Sequence, residues 1–287
     1  MRWTAEGVRL CATVVAALVL ASGAALAGTL DRIRQDKTIR IAYRDDAPPF
    51  SYKGTAAKPA GFMIDLCRAV AKQLAEQLDL PPLNVVYVPV TAVDRFDAIA
   101  KGKADLLCEP TTQTLSRREE VDFSVPTFVD GAGLLIRSDG PKSLLALAGH
   151  KIGVLAGTTT EEELRASLKD AGITAEVIPA KTHDEGLAML DDGTVSAYFA
   201  DRGILMFLAA QSKAPGKLLL ADNYLTVEPY ALALPHGDED FRLAVDRALS
   251  GIYRSGEIAA IFTHTFGAKT KPSQILQSLY LISALPN

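Results

Sequence analysis

Short apolar, β-branched runs alternate with amphipathic helical stretches along this chain, and they do so twice. In the first series, residues 38–43 alternate as a strand, and Leu66, Val70, Leu74 and Leu78 recur every four residues as the buried stripe of a helix. A strand over 84–89, a short helix over 94–101 and a strand over 104–108 complete it. The second series runs strand 151–155, helix 160–171, strand 175–178, helix 184–190, strand 196–200, helix 203–211 and strand 218–220. Such alternation predicts an α/β fold, a mostly parallel sheet with helices on both faces, because a parallel crossover needs about a helix's length to bring the chain back.

Two extended apolar runs, near 128–136 and 228–234, bracket the second series. If the chain crosses between lobes at both, the second lobe is inserted into the first and two hinge strands join them. The expected division is a first lobe over 28–128, an inserted lobe over 129–229, and a return to the first lobe over 230–287. Helices over 239–254 and 257–266 belong to that return, with Leu243, Ala244, Leu249 and Ile252 on the apolar face of the first. At 287 residues the chain is long enough for two separate cores. The cleft between two lobes is a common place for a ligand.

A basic start containing Arg2 and Arg9 precedes an apolar run from Leu10 to Leu26, closed by the small residues Ala25 and Ala27. This is the pattern of a secretory signal peptide over 1–27, cleaved after Ala27. An uncleaved membrane anchor is the competing expectation, since the run is nearly long enough to span. Export would leave two cysteines, Cys67 and Cys108, in an oxidising compartment, either bridged or as two buried thiols. Cys67 lies beside the apolar stripe of its helix and Cys108 ends the third strand, so a bridge is sterically reasonable. A net charge of −4 argues against nucleic acid or an anionic membrane as partner.

Residues 108–124 read Cys-Glu-Pro-Thr-Thr-Gln-Thr-Leu-Ser-Arg-Arg-Glu-Glu-Val-Asp-Phe-Ser. Thr111, Thr112 and Thr114 leave backbone N–H groups reachable, and Arg117 adds a planar fork of donors, a set suited to a small carboxylate. The plain alternative is a helix start capped by Thr114 or Ser116, with Arg117 and Arg118 in solvent. In the second series, Gly157-Thr158-Thr159-Thr160 follows a strand and opens a helix, with Glu163 spaced for a capping box on Thr160. Free N–H groups at such a helix start attract an anion. Arg44 follows the first strand, just before Pro48 and Pro49, which argue against regular structure. Asp201 ends a strand and His183 precedes a helix, each with an ordinary structural role as its alternative. Histidines and cysteines form no metal-ligand set, and no phosphate loop or nucleophile elbow occurs, so no cofactor is expected.

Together these pieces resemble the periplasmic amino-acid-binding proteins of ABC importers, solute-binding protein family 3. The resemblance is carried by Pro48-Pro49-Phe50-Ser51-Tyr52, Gly61-Phe-Met-Ile-Asp65, Gly102-Lys-Ala-Asp105, Thr112-Gln-Thr-Leu-Ser-Arg117, Val121-Asp-Phe-Ser124, Gly157-Thr158-Thr159, Ala200-Asp201 and Glu228-Pro-Tyr230. It implies the two-lobed type II periplasmic-binding-protein fold, a periplasmic location, and a monomer that hands its ligand to the transmembrane subunits of an ABC permease. By this resemblance Arg117 pairs with a ligand α-carboxylate, aided by backbone N–H groups at Thr112 and Thr159, and Asp201 receives the α-ammonium. Arg44, Arg95 and His183, together with the Cys108-x-x-Thr-Thr112 spacing, look most like the glutamate/aspartate binders, where the matching residues hold the side-chain carboxylate.

Departures from those binders bear on the ligand. Pro110 and Ala92 stand where they carry pocket serines, and Glu109 stands where they have glycine. Glu109 either points away from the pocket or neutralises an arginine and shifts selectivity. With Arg44 and Arg95 counted as charges awaiting an anion, each costing roughly 2–5 kcal/mol if left unpaired, glutamine is expected to bind far more weakly than glutamate. Ala47 stands where binders of cationic amino acids place an aromatic ring, which argues against a basic ligand. Binding without chemistry is therefore expected. Two alternatives are a periplasmic dehydratase of the cyclohexadienyl dehydratase type, with Glu109 and His183 as acid and base, and a ligand-sensing subunit of a signalling receptor.

Overall fold

A computed structural model describes residues 28–221 and 224–286; the expected leader over 1–27 and its cleavage site lie outside them. The chain enters through helix α1 (Thr29–Asp36) and strand β1 (Thr38–Arg44), then forms a small three-stranded sheet from β2 (Asp46–Ala47), β3 (Ser51–Lys53) and β4 (Pro59–Ala60). Helix α2 (Phe62–Gln77), β5 (Asn84–Val90), α3 (Arg95–Ala100), β6 (Leu106–Leu107) and β7 (Val121–Phe123) follow. Strand β8 (Phe128–Asp130) leads to β9 (Ala132–Arg137), β10 (Lys151–Leu155), α4 (Thr159–Asp170), β11 (Glu176–Ala180), α5 (His183–Asp191), β12 (Ala197–Asp201), α6 (Arg202–Gln211) and β13 (Leu218–Leu220). Strand β14 (Glu228–Tyr230) brings the chain back to β15 (Ala233–Pro235), α7 (Glu239–Ser255), α8 (Glu257–Phe266) and α9 (Gln274–Ser283).

Two five-stranded sheets result, ordered β5-β1-β6-β15-β7 and β11-β10-β12-β9-β13. β1 pairs in parallel with β5 and β6, and β10 with β11 and β12; β7, β9, β13 and β15 add antiparallel pairs. β15 follows the whole second sheet in the chain yet lies between β6 and β7 of the first, so the second lobe is an insertion. The crossings β8 and β14 pair antiparallel, with Tyr230 opposite Phe128 and Glu228 opposite Asp130. They form the two hinge strands.

Each sheet is covered on both faces, as the alternation requires. On the first, α2 and the C-terminal helices bury Leu66, Val70, Phe241 and Ile252, while Ala98, Ile99, Leu107 and Phe123 fill the other side. On the second, Leu187, Tyr198 and Leu205 pack on one face and Ile152, Val154, Leu164 and Phe199 on the other. Phe50 stacks edge-on against Phe128 and Tyr230, with ring centroids 5.0 and 5.6 Å away, and so ties the hinge strands to the first lobe.

Cys67 on α2 and Cys108 after β6 are joined by a disulfide with a Cα separation of 6.3 Å. The Cys108 N–H also donates to the Ala42 carbonyl of β1 at 2.9 Å. The root of the 108–117 loop is thereby fixed to helix and sheet together.

Several expectations need correction. Pro48 and Pro49 do not abolish regular structure: they occupy the turn, and β2 and β3 pair on either side, with Ala47 opposite Ser51. Gly61 closes this hairpin onto α2 with φ +119°, where a Cβ would sit 2.4 Å from the Phe50 carbonyl oxygen. The strand expected over 104–108 is paired only at Leu106 and Leu107. Leu243 is 47% exposed, because the stripe of α7 runs through Phe241, Ala244, Val245, Ala248, Leu249 and Ile252 instead. Helix α4 starts one residue early, and its cap lies two residues before the one expected: the Thr158 hydroxyl, not Thr160, accepts from the Glu161 N–H at 3.2 Å. Glu161 rather than Glu163 reaches back over this helix start, but its carboxylate accepts from the N–H of Gly157, one residue before the cap, at 3.0 Å, so the box is not the reciprocal one expected.

Candidate functional site

All nine residues expected to contact a ligand, Arg44, Arg95, Pro110, Thr112, Arg117, Thr158, Thr159, His183 and Asp201, line one cavity, together with Leu155, Thr160, Phe199 and Ala200. Its atom-free space is about 360 Å³, part of it open to solvent. The first lobe supplies Arg44 from the end of β1, Arg95 from the start of α3, and Pro110, Thr112 and Arg117 from the loop after β6. The second supplies the β10–α4 turn, the start of α5 and the end of β12. These are the carboxyl ends of parallel strands, where side chains from successive crossovers converge.

Arg117 retains part of the plain alternative: its N–H is accepted by the Thr114 hydroxyl at 3.2 Å, so Thr114 does cap a short turn. Arg118 is exposed, but Arg117 turns inward, donating from Nη1 to the Thr112 carbonyl at 2.7 Å. Its guanidinium lies 5.2 Å from the centre of the Phe96 ring, which Arg95 also shares at 4.6 Å. Among the described residues, no carboxylate lies within 4.0 Å of the Arg117 guanidinium. Burial holds its pKa below the usual arginine value, with Glu109, Glu162 and Glu228 acting in the opposite direction.

The hinge end of the cavity is acidic. Desolvation, then the neighbouring Glu228 and Asp130 charges, push Asp201 well above the ordinary carboxylate range. Burial raises Asp130 to about 6, although the Gly203 N–H donates to it at 2.9 Å. Asp201 directly precedes α6 but accepts no capping bond from it; its carboxylate lines the cavity with the Thr160 hydroxyl 3.4 Å away and the buried Tyr230 hydroxyl beside it. Glu228 accepts from the Thr112 hydroxyl of one lobe and, at 2.8 Å, from the Thr159 hydroxyl of the other.

The opposite end holds Arg44, Arg95 and His183, each 3% exposed. Arg44 is paired with Asp46 at 2.7 Å and faces Glu109 at 3.7 Å. Burial lowers its pKa, but Asp46 and Glu109 outweigh burial, and the net shift is upward. Arg95 Nε lies 3.3 Å from Glu109, and its Nη1 and Nη2 both donate to the Gly157 carbonyl of the other lobe at 3.3 Å. Burial lowers Arg95 to about 10, so it stays protonated at neutral pH. His183 Nδ1 bonds the Tyr198 hydroxyl at 3.0 Å, and its backbone N–H donates to Asp46 at 3.2 Å. Burial, then the Arg44 charge, depress His183 to about 3, so it is neutral.

Glu109 therefore does not point to solvent; it is 1% exposed, and its Oε1 accepts from the Thr111 hydroxyl. The expectation of strong discrimination against glutamine counted Arg44 and Arg95 as unpartnered, and both have carboxylate partners. Sequence reasoning gave no role to Glu228 or to Asp46. Glu228 stood in a noted motif, and the acids directly after Arg44 were a signal for Asp46.

A sequence profile described as bacterial extracellular solute-binding proteins, family 3, matches residues 39–268. The chain is a member of that family. Among the relatives of this solute-binding protein is an L-glutamate/L-aspartate-binding protein of Pseudomonas aeruginosa, 34% identical over 267 residues that cover 92% of this chain and 88% of the relative. A glutamate/aspartate import solute-binding protein of Escherichia coli is 28% identical over 273 residues, covering 92% and 90%. Similar solved structures include an ancestral amino-acid-binding protein described as a precursor of cyclohexadienyl dehydratase. It is 27% identical, with a TM-score of 0.72 over 84% of this chain and 100% of that one. The L-cysteine receptor of Neisseria gonorrhoeae is 26% identical, with a TM-score of 0.75 over 85% and 97%. The fold is the type II periplasmic-binding-protein fold.

Proposed function

We propose that this solute-binding protein captures an acidic amino acid, of the glutamate/aspartate class, between its lobes and presents the closed form to the transmembrane subunits of an ABC permease. One observation carries the reading: Arg117, a guanidinium with no carboxylate partner among the described residues, and Asp201, a carboxylate whose proton is hard to lose, line the same cavity. A zwitterion answers both. Its α-carboxylate would lie on Arg117 and the N–H groups near Thr112 and Thr159; Thr159 opens α4, where an N–H has no intrahelical acceptor. Its ammonium would lie on Asp201, with Thr158 at the cavity wall. Arg44, Arg95, Pro110 and His183 would surround the side chain, and the names of the two relatives favour an acidic one.

Closure is coupled to binding through contacts between lobes: Arg95 to Gly157, Asp46 to His183, and Thr112 and Thr159 to Glu228. A ligand drives the closed form only by binding it better than the open one. The division into 28–128, 129–229 and 230–287, a periplasmic monomer released by cleavage after Ala27, and a role without nucleic acid complete the proposal. Binding without catalysis fits the site, because His183 is a weak base at about 3 and Glu109 is held between two arginines. Titration calorimetry against the amino acids tests the proposal. Glutamate or aspartate is expected to bind one to one, and Arg117→Ala to weaken it by roughly 30-fold or more, the cost of stranding one side of a buried charge pair. Heat from no amino acid, or unchanged affinity in Arg117→Ala, would count against it.

A further inference from the structure

We propose that Glu109 is a specificity-determining residue: seated between Arg44 and Arg95, its carboxylate supplies charge that an acidic ligand would otherwise bring, and so widens the ligand class from acidic amino acids to their amides. This rests on the amino-acid capture proposed above.

Each guanidinium has a carboxylate within 4.0 Å, although Arg44 Nη2, Arg95 Nε and Glu109 Oε2 complete no hydrogen bond there. Arg44 Nε and Nη2 face Asp46 at 2.9 and 2.7 Å, and Nη1 faces Glu109 Oε2 at 3.7 Å. Arg95 Nε faces Glu109 Oε1 at 3.3 Å, and both Nη atoms reach the Gly157 carbonyl. Two positive charges are thus matched by two negative ones, Asp46 and Glu109, before any ligand side chain arrives. Glu109 does this from behind, since the guanidiniums line the cavity and Glu109 does not.

Glu109 is also hard to move. Cys108 before it is bound to α2 through the disulfide and to β1 through its N–H, Pro110 after it has a fixed φ, and the Thr111 hydroxyl donates to its Oε1. Each guanidinium carries five N–H donors, so hydrogens remain that can meet an acceptor oxygen in the cavity. A carboxylate and a primary amide both offer one. A carboxylate additionally brings a charge that the site no longer lacks, whereas two uncompensated guanidiniums would favour it by roughly 30-fold or more.

Calorimetry on the mature protein and on Glu109→Gln, with glutamate, glutamine, aspartate and asparagine, tests this. Glutamine keeps the shape and an acceptor for Thr111 while removing the charge. In the wild-type protein the acid is expected to be preferred over its amide by less than about tenfold, and in Glu109→Gln by at least about ten times more, mainly through tighter binding of the acid. If Glu109→Gln fails to fold, Glu109→Ala is measured for the same ratio. A ratio that neither variant changes, or a wild-type preference for the acid above about a hundredfold, would overturn the role of Glu109 while leaving amino-acid capture in place. Absence of binding by any amino acid to the wild-type protein would overturn both.

Discussion

Arg117 shows how one residue can satisfy two sequence interpretations at once. Its backbone N–H completes a turn capped by Thr114, while its side chain enters the cavity. Arg44, Thr112, Thr158, Thr159, His183 and Asp201 were legible because they sit at or soon after the carboxyl end of a strand, and Arg117 because its donor fork follows three threonines; Arg95 and Pro110 were legible only through the family resemblance. What could not be read was who partners whom. Arg95 with Glu109 is set by how α3 and the loop after β6 pack within the first lobe, and Glu228 with threonines of both lobes by how the lobes meet; only Arg44 with Asp46, two residues on, left a local signal. His183 gives a prediction at this scale. Its pKa in the folded protein is about 3, below the ordinary 6.5, so its contribution to stability is complete above pH 6.5 and is lost as pH falls toward 3. The facing groups are Arg44, Asp46 and Tyr198. Relative to His183→Asn, the wild-type protein should lose about 1.4 kcal/mol per pH unit below 6.5, read from denaturant midpoints between pH 6.5 and 4.5. Parallel curves for the two proteins would mean that His183 is charged in the folded state.

Among elements, long periodic stretches declared themselves and short or dilute ones did not. α2, β10 and α8 lie where the apolar pattern placed them, and the three-residue β13 does so as an exception. α9 escaped because Ile275, Leu281 and Ile282 are exposed around its buried Leu276, Leu279 and Tyr280, which blurs the stripe. The β2–β3 hairpin escaped because prolines usually interrupt a sheet, and here they form its turn instead. An even cysteine pair in an exported chain favoured the disulfide over two buried thiols, and the packing of Cys108 against α2 bears it out. Cys67 and Cys108 are 41 residues apart, and closing a loop of that size in the unfolded chain is worth roughly 4 kcal/mol on an entropic account. The double variant Cys67→Ser/Cys108→Ser should therefore unfold at a clearly lower denaturant midpoint. The unreduced, denatured wild-type mature protein should show no titratable thiol. Two reactive thiols, or equal midpoints, would contradict the bridge's structural role.

Across the whole molecule, insertion of one lobe into the other brings the strand ends that carry the cavity residues to one cleft and joins the lobes through the paired strands β8 and β14. The first lobe supplies Arg117 and the second Asp201, and neither lobe alone presents both groups. The α/β class was visible in the sequence as two alternating series and insertion as two runs that could be crossings, while the type II fold came through the family resemblance. The ligand's side chain was less so, because Glu109 acts from behind the cavity wall. The central claim is that a zwitterion joins the lobes, and one comparison addresses it: calorimetry of the mature protein with L-glutamate and with glutarate, which keeps both carboxylates and lacks the ammonium. Glutamate should bind at least about 30-fold more tightly, since glutarate brings no ammonium to the acidic cluster of Asp201, Asp130 and Glu228. Equal affinity for the two would contradict the account.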